Sequence, residues 1–532
     1  MRRRGSPARR YLRRTVQAVA LAGTLLVGVI ALALIVSQTP WFRDWLRRFV
    51  VGEAKQYLNG DLSIGSLGGN LFYGVQLGDV SVEVNGERVV TLKHLEIKYS
   101  ISELVSKGMT VRQIRLEEPF VLLRRDKGGW NVARLVKRQQ QEANRQGPRR
   151  SLSLPHIEIV NGRAAIDDRA PSPIYALPSR IDALNVKAGF EYEPVHYSLT
   201  IDSLSFAGKA PDLTLSKLTG GFATRQDDLN VQKLFLQTTD SSVTIDGVVR
   251  TYLSRPSLQL TASTPRVSLP EWAGVLPPLQ GYALHPEFDV KADGPVDQLK
   301  LALNTMSEAG TVSGTLTADL RPPDLGARGS LSVQHLNLAP LIKNPAQRSD
   351  ITGYAQVEVV EASAPASAPA IDRLRARVTF EGPSVTASGY TATNVRATAS
   401  VTGRRIAIDG RANAYGGSAT ASGTIVTGAP GRPTTIDLAG RATHVSLASL
   451  PRQVNTPRIV TDLNATAYHV RGSFARSSSI DANATMAQST LAGGTILDGT
   501  TAHASLTSTT GVKGLQSLNY TAFGVQPTTA IG

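Results

Sequence analysis

From Ser151 to Gly532 the chain repeats one pattern: short runs of alternating apolar and polar residues, recurring at intervals of roughly ten and separated by Gly, Asp, Asn and Pro. Leu184-Val186-Ala188-Phe190 is followed by Tyr197-Leu199-Ile201, and later by Leu258-Leu260-Ala262, Leu299-Leu301-Leu303, Ala355-Val357-Val359 and Leu374-Ala376-Val378-Phe380. A period of two places every apolar residue of a strand on one face. Helical spacing is confined to short turns near Leu269–Val275 and Leu338–Lys343, and Glu361–Ala370, rich in Ala, Ser and Pro, reads as a loop. A sheet with one apolar face has to cover that face, and few helices are on hand to do it.

Two architectures meet that demand. One is a row of β-sandwiches with closed cores. The other, and the expected fold, is mainly β with few short helices: a single long antiparallel sheet of about thirty strands, reaching on the order of 140 Å at about 4.8 Å per strand, that twists and curls into an apolar-lined groove. Aromatics are only 6% of the chain, and past Gly382 the strands become rich in Ala, Thr, Ser and Gly, so a wide interior would be hard to fill. Periodicity does not separate a filled core from a lined groove. In the groove the lining is Leu184, Val186, Phe190, Leu199, Ile201, Leu258, Leu260, Phe288, Val290, Leu299, Leu301, Leu303, Val357, Val359, Val378 and Phe380.

The N-terminal part has a different character. Seven arginines precede an uncharged apolar run from Val16 to Val36, about the length needed to cross a bilayer core of roughly 30 Å. The excess of arginine on its first flank orients residues 1–15 into the cytoplasm and everything after Pro40 outward. A cleaved signal peptide is the competing reading, with Ala31-Leu32-Ala33 as its site. After Pro40 the spacing of Trp41, Trp45, Leu46, Phe49, Val50, Tyr57 and Leu58 predicts an amphipathic helix. Trp41, Phe42 and Trp45 suit a membrane–water interface, and a surface helix packed on its own domain is the plainer alternative. Leu62 to Leu123 is strand-rich, with a short helix over Ile101 to Ser106. A second helix runs from Asn131 through Lys137–Arg145 and stops at Gly147-Pro148.

Composition narrows the chemistry. There are no cysteines, which removes disulfides, thiolate catalysis and Cys-ligated metals. The net charge of +15 is nearly half accounted for by the N-terminal arginines, and the rest is interspersed, so no nucleic-acid footprint emerges. His94, His156, His196, His285, His335, His444, His469 and His503 show no metal-ligand spacing. No nucleotide loop or hydrolase motif is present. Asp167-Asp168 and Asp227-Asp228 read as turn residues rather than a catalytic pair. The expectation is a protein that is not an enzyme and carries no cofactor or metal.

Several phrases resemble the AsmA-like superfamily, specifically its TamB-type members. They are Leu67-Gly68-Gly69-Asn70-Leu71 with Val80-Ser81-Val82; Leu116-Glu117-Glu118-Pro119-Phe120 followed by Gly128-Gly129-Trp130-Asn131; Val333–Leu341 with its "L-x-L-x-x-L" spacing; Gly353-Tyr354-Ala355; and Ala414-Tyr415-Gly416-Gly417. The resemblance implies a repeated β-groove on an inner-membrane anchor, with its bulk in the periplasm and phospholipid moving between inner and outer membranes. It also implies, as the alternative, a scaffold for outer-membrane protein assembly and autotransporter secretion with a barrel partner in the outer membrane. TamB-type chains run on for many hundreds of residues, so this sequence reads as a fragment or a shorter member. The domain reading is then 1–15 cytoplasmic tail, 16–36 anchor, 41–147 N-terminal module and 151–532 repetitive β region.

Overall fold

A computed structural model describes residues 39–70, 73–99, 109–135, 151–170, 172, 175–193, 196–321, 325–341, 343, 345, 348–361, 374–387, 389–427, 433–451, 458–473, 478–491, 493–496, 498–508 and 518–526. The basic tail, the apolar run Val16–Val36, the helix expected over Ile101–Ser106, the stretch Lys137–Arg145 and most of the loop Glu361–Ala370 lie outside them. Among the described residues no helix is long and apolar enough to cross a membrane. The protein is mainly β, and the chain divides into two compact units: 1–226 with 236–239 and 274–277, and 227–235 with 240–273 and 278–532.

The first unit opens with helix α1 (Pro40–Tyr57). The Thr39 hydroxyl accepts the Phe42 N–H at 3.3 Å, and Pro40 occupies a first-turn position where no N–H is needed. Arg47 Nη1 donates to the Ile64 and Gly65 carbonyls at 3.3 and 3.2 Å, holding the helix to the first strand. Spacing alone put all the apolar residues of this helix on one face, and the structure divides them. Leu46 and Val50 are half-buried, whereas Trp41, Trp45 and Phe49, spaced four apart, are 68%, 45% and 52% exposed. Trp45 and Phe49 stack with centroids 5.7 Å apart.

Strands β1 (Asp61–Asn70), β2 (Gly74–Val84), β3 (Glu87–Tyr99) and β4 (Met109–Glu117) follow as an antiparallel meander. Next come β5 (Phe120–Asp126), β6 (Gly129–Trp130) and the long β7 (Leu152–Asp168). An entirely antiparallel sheet was the expectation, and β7 corrects it. This strand pairs parallel with β4 and then, past register shifts around Gly162, parallel with β5. Alternation has the same period in both kinds of ladder, so the pattern held no sign of it. The β5–β7 register sets Arg124 opposite Asp167 and Arg125 opposite Asp168. Both aspartates end the strand: Asp167 meets Arg124 and Arg169, while Asp168 meets Arg125 and also accepts the Ala170 N–H at 3.1 Å in the bend that follows. Arg124 also grips Glu87 bidentately at 2.8 Å on both nitrogens, and its hydrogen bonds hold the Glu87 and Asp167 carboxyls below their ordinary range.

The Gly-Gly-Trp-Asn phrase is a turn fastened by its asparagine. Asn131 Oδ1 accepts the Arg124 and Val132 N–H groups at 2.8 and 2.9 Å, while Nδ2 donates to the Leu122 carbonyl. The Trp130 ring lies 5.9 Å from the Arg125 guanidinium. The helix expected from Asn131 is described as a 3₁₀ turn, Asn131–Arg134. Strands β8 (Arg180–Glu193), β9 (His196–Lys209) and β10 (Leu213–Arg225) complete the unit's meander.

The second unit comprises β11 (Asp228–Gln237, its last residues grouped with the first unit), β12 (Ser242–Arg250), β13 (Ser257–Arg266), helix α2 (Leu269–Trp272), β14 (Glu287–Pro295), β15 (Leu299–Ser307), β16 (Gly310–Asp319) and β17 (Gly326–Leu336). It continues through helix α3 (Leu338–Leu341), β18 (Ser349–Glu361), β19 (Leu374–Ala387), β20 (Tyr390–Thr402), β21 (Arg405–Ala414), β22 (Gly417–Val426), β23 (Thr435–Val445) and β24 (Thr461–Ser473). It ends with β25 (Ser478–Met486), β26 (Ser489–Leu491), β27 (Gly494–Ile496), β28 (Thr501–Ser508) and β29 (Leu518–Gln526). From β12 onward each strand pairs antiparallel with its neighbour, except that the β26–β27 hairpin folds back onto β24 and β25 pairs with β28. The Ala414-Tyr415-Gly416-Gly417 turn has φ of +54° and +86° at its centre, the left-handed pair a two-residue hairpin requires.

Helical turns close one end of the strands in this unit, and buried side chains lie both there (Ala309, Ala339, Met486) and at the opposite end (Leu299, Ala318, Ile480). Leu338 N–H donates to Ser349 Oγ, which in turn donates to the Leu336 carbonyl. Leu447 N–H and Thr461 Oγ1 repeat the device with the Val445 carbonyl, at a 3₁₀ turn, Leu447–Ser449, that the sequence pattern did not single out.

Candidate functional site

Residues opposite one another in an antiparallel ladder point to the same face, so the register reads out each face as rows crossing the strands. In the first unit one row runs Leu67, Leu77, Leu95, Leu116, Ile159, Val186, Leu204, Leu218 across every strand from β1 to β4 and β7 to β10. The adjacent row on that face contains Val75, Ile97, Ile114, Ile157, Ala188 and Ile201. Neither row contains a polar residue.

The second unit repeats this over a longer span. One row passes from Leu260 on β13 through Ala292, Leu301, Leu316, Gly329, Val357, Val378, Ala399, Ile408, Gly423, Leu438 and Val470 to Ala482 on β25. Two positions along the strands, Ala262, Val290, Leu303, Gly314, Leu331, Ala355 and Phe380 begin a parallel row, which goes on through Ala397, Gly410, Ala421 and Gly440. A third runs from Leu299 through Val359, Val401, Ile406, Ile425 and Ile436 to Ile480. The opposite face is polar over the same strands: Thr315, Ser330, Gln356, Thr379, Thr398, Asp409 and Ser422 form one of its rows.

The residues expected to line a groove fall in these rows or beside them. Val186, Ile201, Leu260, Val290, Leu299, Leu301, Leu303, Val357, Val359, Val378 and Phe380 are row members. Phe190 and Leu199 pair with each other, Leu184 faces Gly162, Leu258 faces Val249, and Phe288 sits between Thr264 and Thr305. Ile201 and Leu299 are buried, and all the others are half-buried. Leu316, Leu331, Ile408, Leu438 and Val470 belong to the same rows and were missed, because in strands diluted by Gly, Ala and Thr one large residue does not stand out as alternation.

At β23 to β25 and β28 the apolar face is indented. A cavity of about 280 Å³ is lined by Ala442, Val445, Leu463, Ala465, Val470 and Met486, among others. Tyr468 stands at its edge; burial raises its phenol above the ordinary range, so it stays a neutral donor.

Four of the histidines meet carboxylates. His335 and His444, both in left-handed backbone, place Nδ1 at 3.1 and 3.0 Å from Asp350 and Asp462 at the two equivalent strand-end turns. His285 meets Glu308 and His469 meets Asp437. Among the described residues no cluster of His, Asp and Glu has the arrangement to hold a metal.

No known family model, no curated protein and no solved structure matches this chain.

Proposed function

We propose that this chain is a non-enzymatic, membrane-anchored conduit in which the uncovered apolar face of the sheet shields lipid acyl chains from water. The half-buried state of most residues in the unbroken apolar rows carries the reading. Closed sandwich cores would bury Leu301, Leu303, Val357 and Val378 against a second layer, whereas here each keeps part of its surface accessible. A hydrocarbon laid along such a row removes apolar surface from water on both partners, worth roughly 0.8 kcal/mol per methylene. The resemblance to TamB-type chains supports the same reading, with the anchor at Val16–Val36, the inner membrane as lipid source, the bulk in the periplasm and an outer-membrane barrel as a partner. The exposed Trp41, Trp45 and Phe49 stripe, together with Phe42, then lies at headgroup level, where amphipathic rings are favoured.

Site-specific photo-crosslinking in the intact chain is the test. A benzophenone side chain at Leu301 or Val186 is expected to capture phospholipid. Capture of polypeptide alone would replace the conduit with a scaffold for outer-membrane protein assembly, and no adduct at either site would indicate a closed core.

A further inference from the structure

The polar face of the second unit carries its own concavity, of about 810 Å³. Its floor is a row of directly opposed residues across β19 to β23: Glu381, Arg396, Arg411, Thr420 and Arg441. Arg396 and Arg411 face each other on adjacent strands, an arrangement that repels, and Arg441 lies one strand beyond Thr420. Glu381 pairs with Arg396 at 3.6 Å. Among the described residues no carboxylate pairs with Arg411 or Arg441, although Asp409 lies two residues from Arg411 on the same face. One strand further on, Arg471 of β24 meets Asp437 of β23 at 3.1 Å. Register shifts between Thr393 and Arg396 in β20 and between Gly440 and Ala442 in β23 bend the strands around the row. The rest of the lining mixes hydrogen-bonding groups, Asn394, Asn413, Ser418, Thr443 and the Tyr354 ring, with small apolar residues that include Val395, Ala412 and Ala419.

We propose that this concavity binds a phosphorylated polyol, with the phosphate held by Arg411 and Arg441 and the hydroxyls by the amide and hydroxyl side chains. Guanidinium forks match phosphate oxygens bidentately, and a phosphate beside Arg411 offsets its repulsion from the facing Arg396. The volume falls within the range of small-molecule sites and far exceeds a bare phosphate. The arginine row lies on the face opposite the apolar rows, so phosphate binding stands or falls independently of acyl-chain shielding.

The test is calorimetric titration of the full chain in a neutral detergent with three probes: inorganic phosphate, glucose 6-phosphate, and glycerophosphoglycerol, the deacylated headgroup of an anionic phospholipid. One of the two polyol esters is expected to bind at least tenfold tighter than inorganic phosphate, and which one binds distinguishes a free sugar phosphate from a lipid headgroup. The double variant Arg411→Gln, Arg441→Gln is expected to lose that binding by tenfold or more while melting no lower than the parent, since it removes a like-charge pair. Equal affinity for inorganic phosphate, or polyol-ester affinity unchanged in the double variant, overturns the proposal.

Discussion

The Tyr468 phenol reaches across Gly440 and donates a hydrogen bond to the Thr420 carbonyl on the strand beyond, 2.6 Å away. Gly440 faces Tyr468 in the ladder, and a Cβ there would collide with that carbonyl and crowd the phenol oxygen. The ring thus covers a glycine that has no side chain of its own to pack.

Gly440→Val should therefore cost about 1–3 kcal/mol through overpacking. Tyr468→Phe, which keeps the ring and loses one hydrogen bond, should cost about 1 kcal/mol. Denaturant unfolding of both variants checks the order, and a Gly440→Val protein as stable as the parent would show that the ring does not sit over that backbone.

Leu299 and Leu301 are neighbours on β15 with unequal cover: Leu299 is 2% exposed and Leu301 half-buried. Leu299→Arg should unfold the second unit or weaken it by on the order of 4 kcal/mol. Leu301→Arg should leave circular dichroism and melting nearly unchanged, because its charged head can reach water, yet abolish lipid capture by a photo-probe at Val357. Equal damage from both would mean that the face is closed.

The chain has no cysteine, so a single introduced thiol labels one site only. In lipid nanodiscs, a spin label at Phe49→Cys should report a headgroup-level environment, and one at Leu46→Cys a protein-packed one. Identical, fully aqueous accessibility at both positions would detach α1 from the membrane surface.

Asp319 is gripped by Arg321, with Nη2 2.6 Å from one oxygen and Nε 3.0 Å from the other, which lowers its carboxyl to about 2. The stabilisation from this exposed pair is present in full above the unfolded carboxyl range, near pH 4, and fades as pH falls toward 2. Melting temperatures of the parent and Arg321→Gln should differ by a small, constant amount between pH 5 and 7 and converge on acidification. A gap that widens on acidification would reverse that assignment.

The strand content was legible in the sequence because alternation survives any arrangement of strands. The parallel pairing of β7 was not, since period two is blind to strand direction. Spacing identified α1 as amphipathic, but a helical wheel does not say that Arg47 and the short aliphatics face β1 while Trp41, Trp45 and Phe49 turn away. The rows were half-legible: Leu301 and Val357 announced themselves within their own strands, whereas Ile408 and Leu438 acquire meaning only through register. Arg396, Arg411 and Arg441 are spread over β20 to β23, and no local pattern joins them.

Each position in the long row from Leu260 to Val470 offers an aliphatic side chain or bare backbone, with no polar step between strands. A hydrocarbon displaced by one strand spacing, about 4.8 Å, exchanges one such neighbour for another of similar kind. The row thus raises no polar barrier along its length, and the indentation that Val470 helps to line is where a guest would sit deepest. The row by itself sets no direction, and in the proposed conduit net movement would follow supply and removal at its two ends.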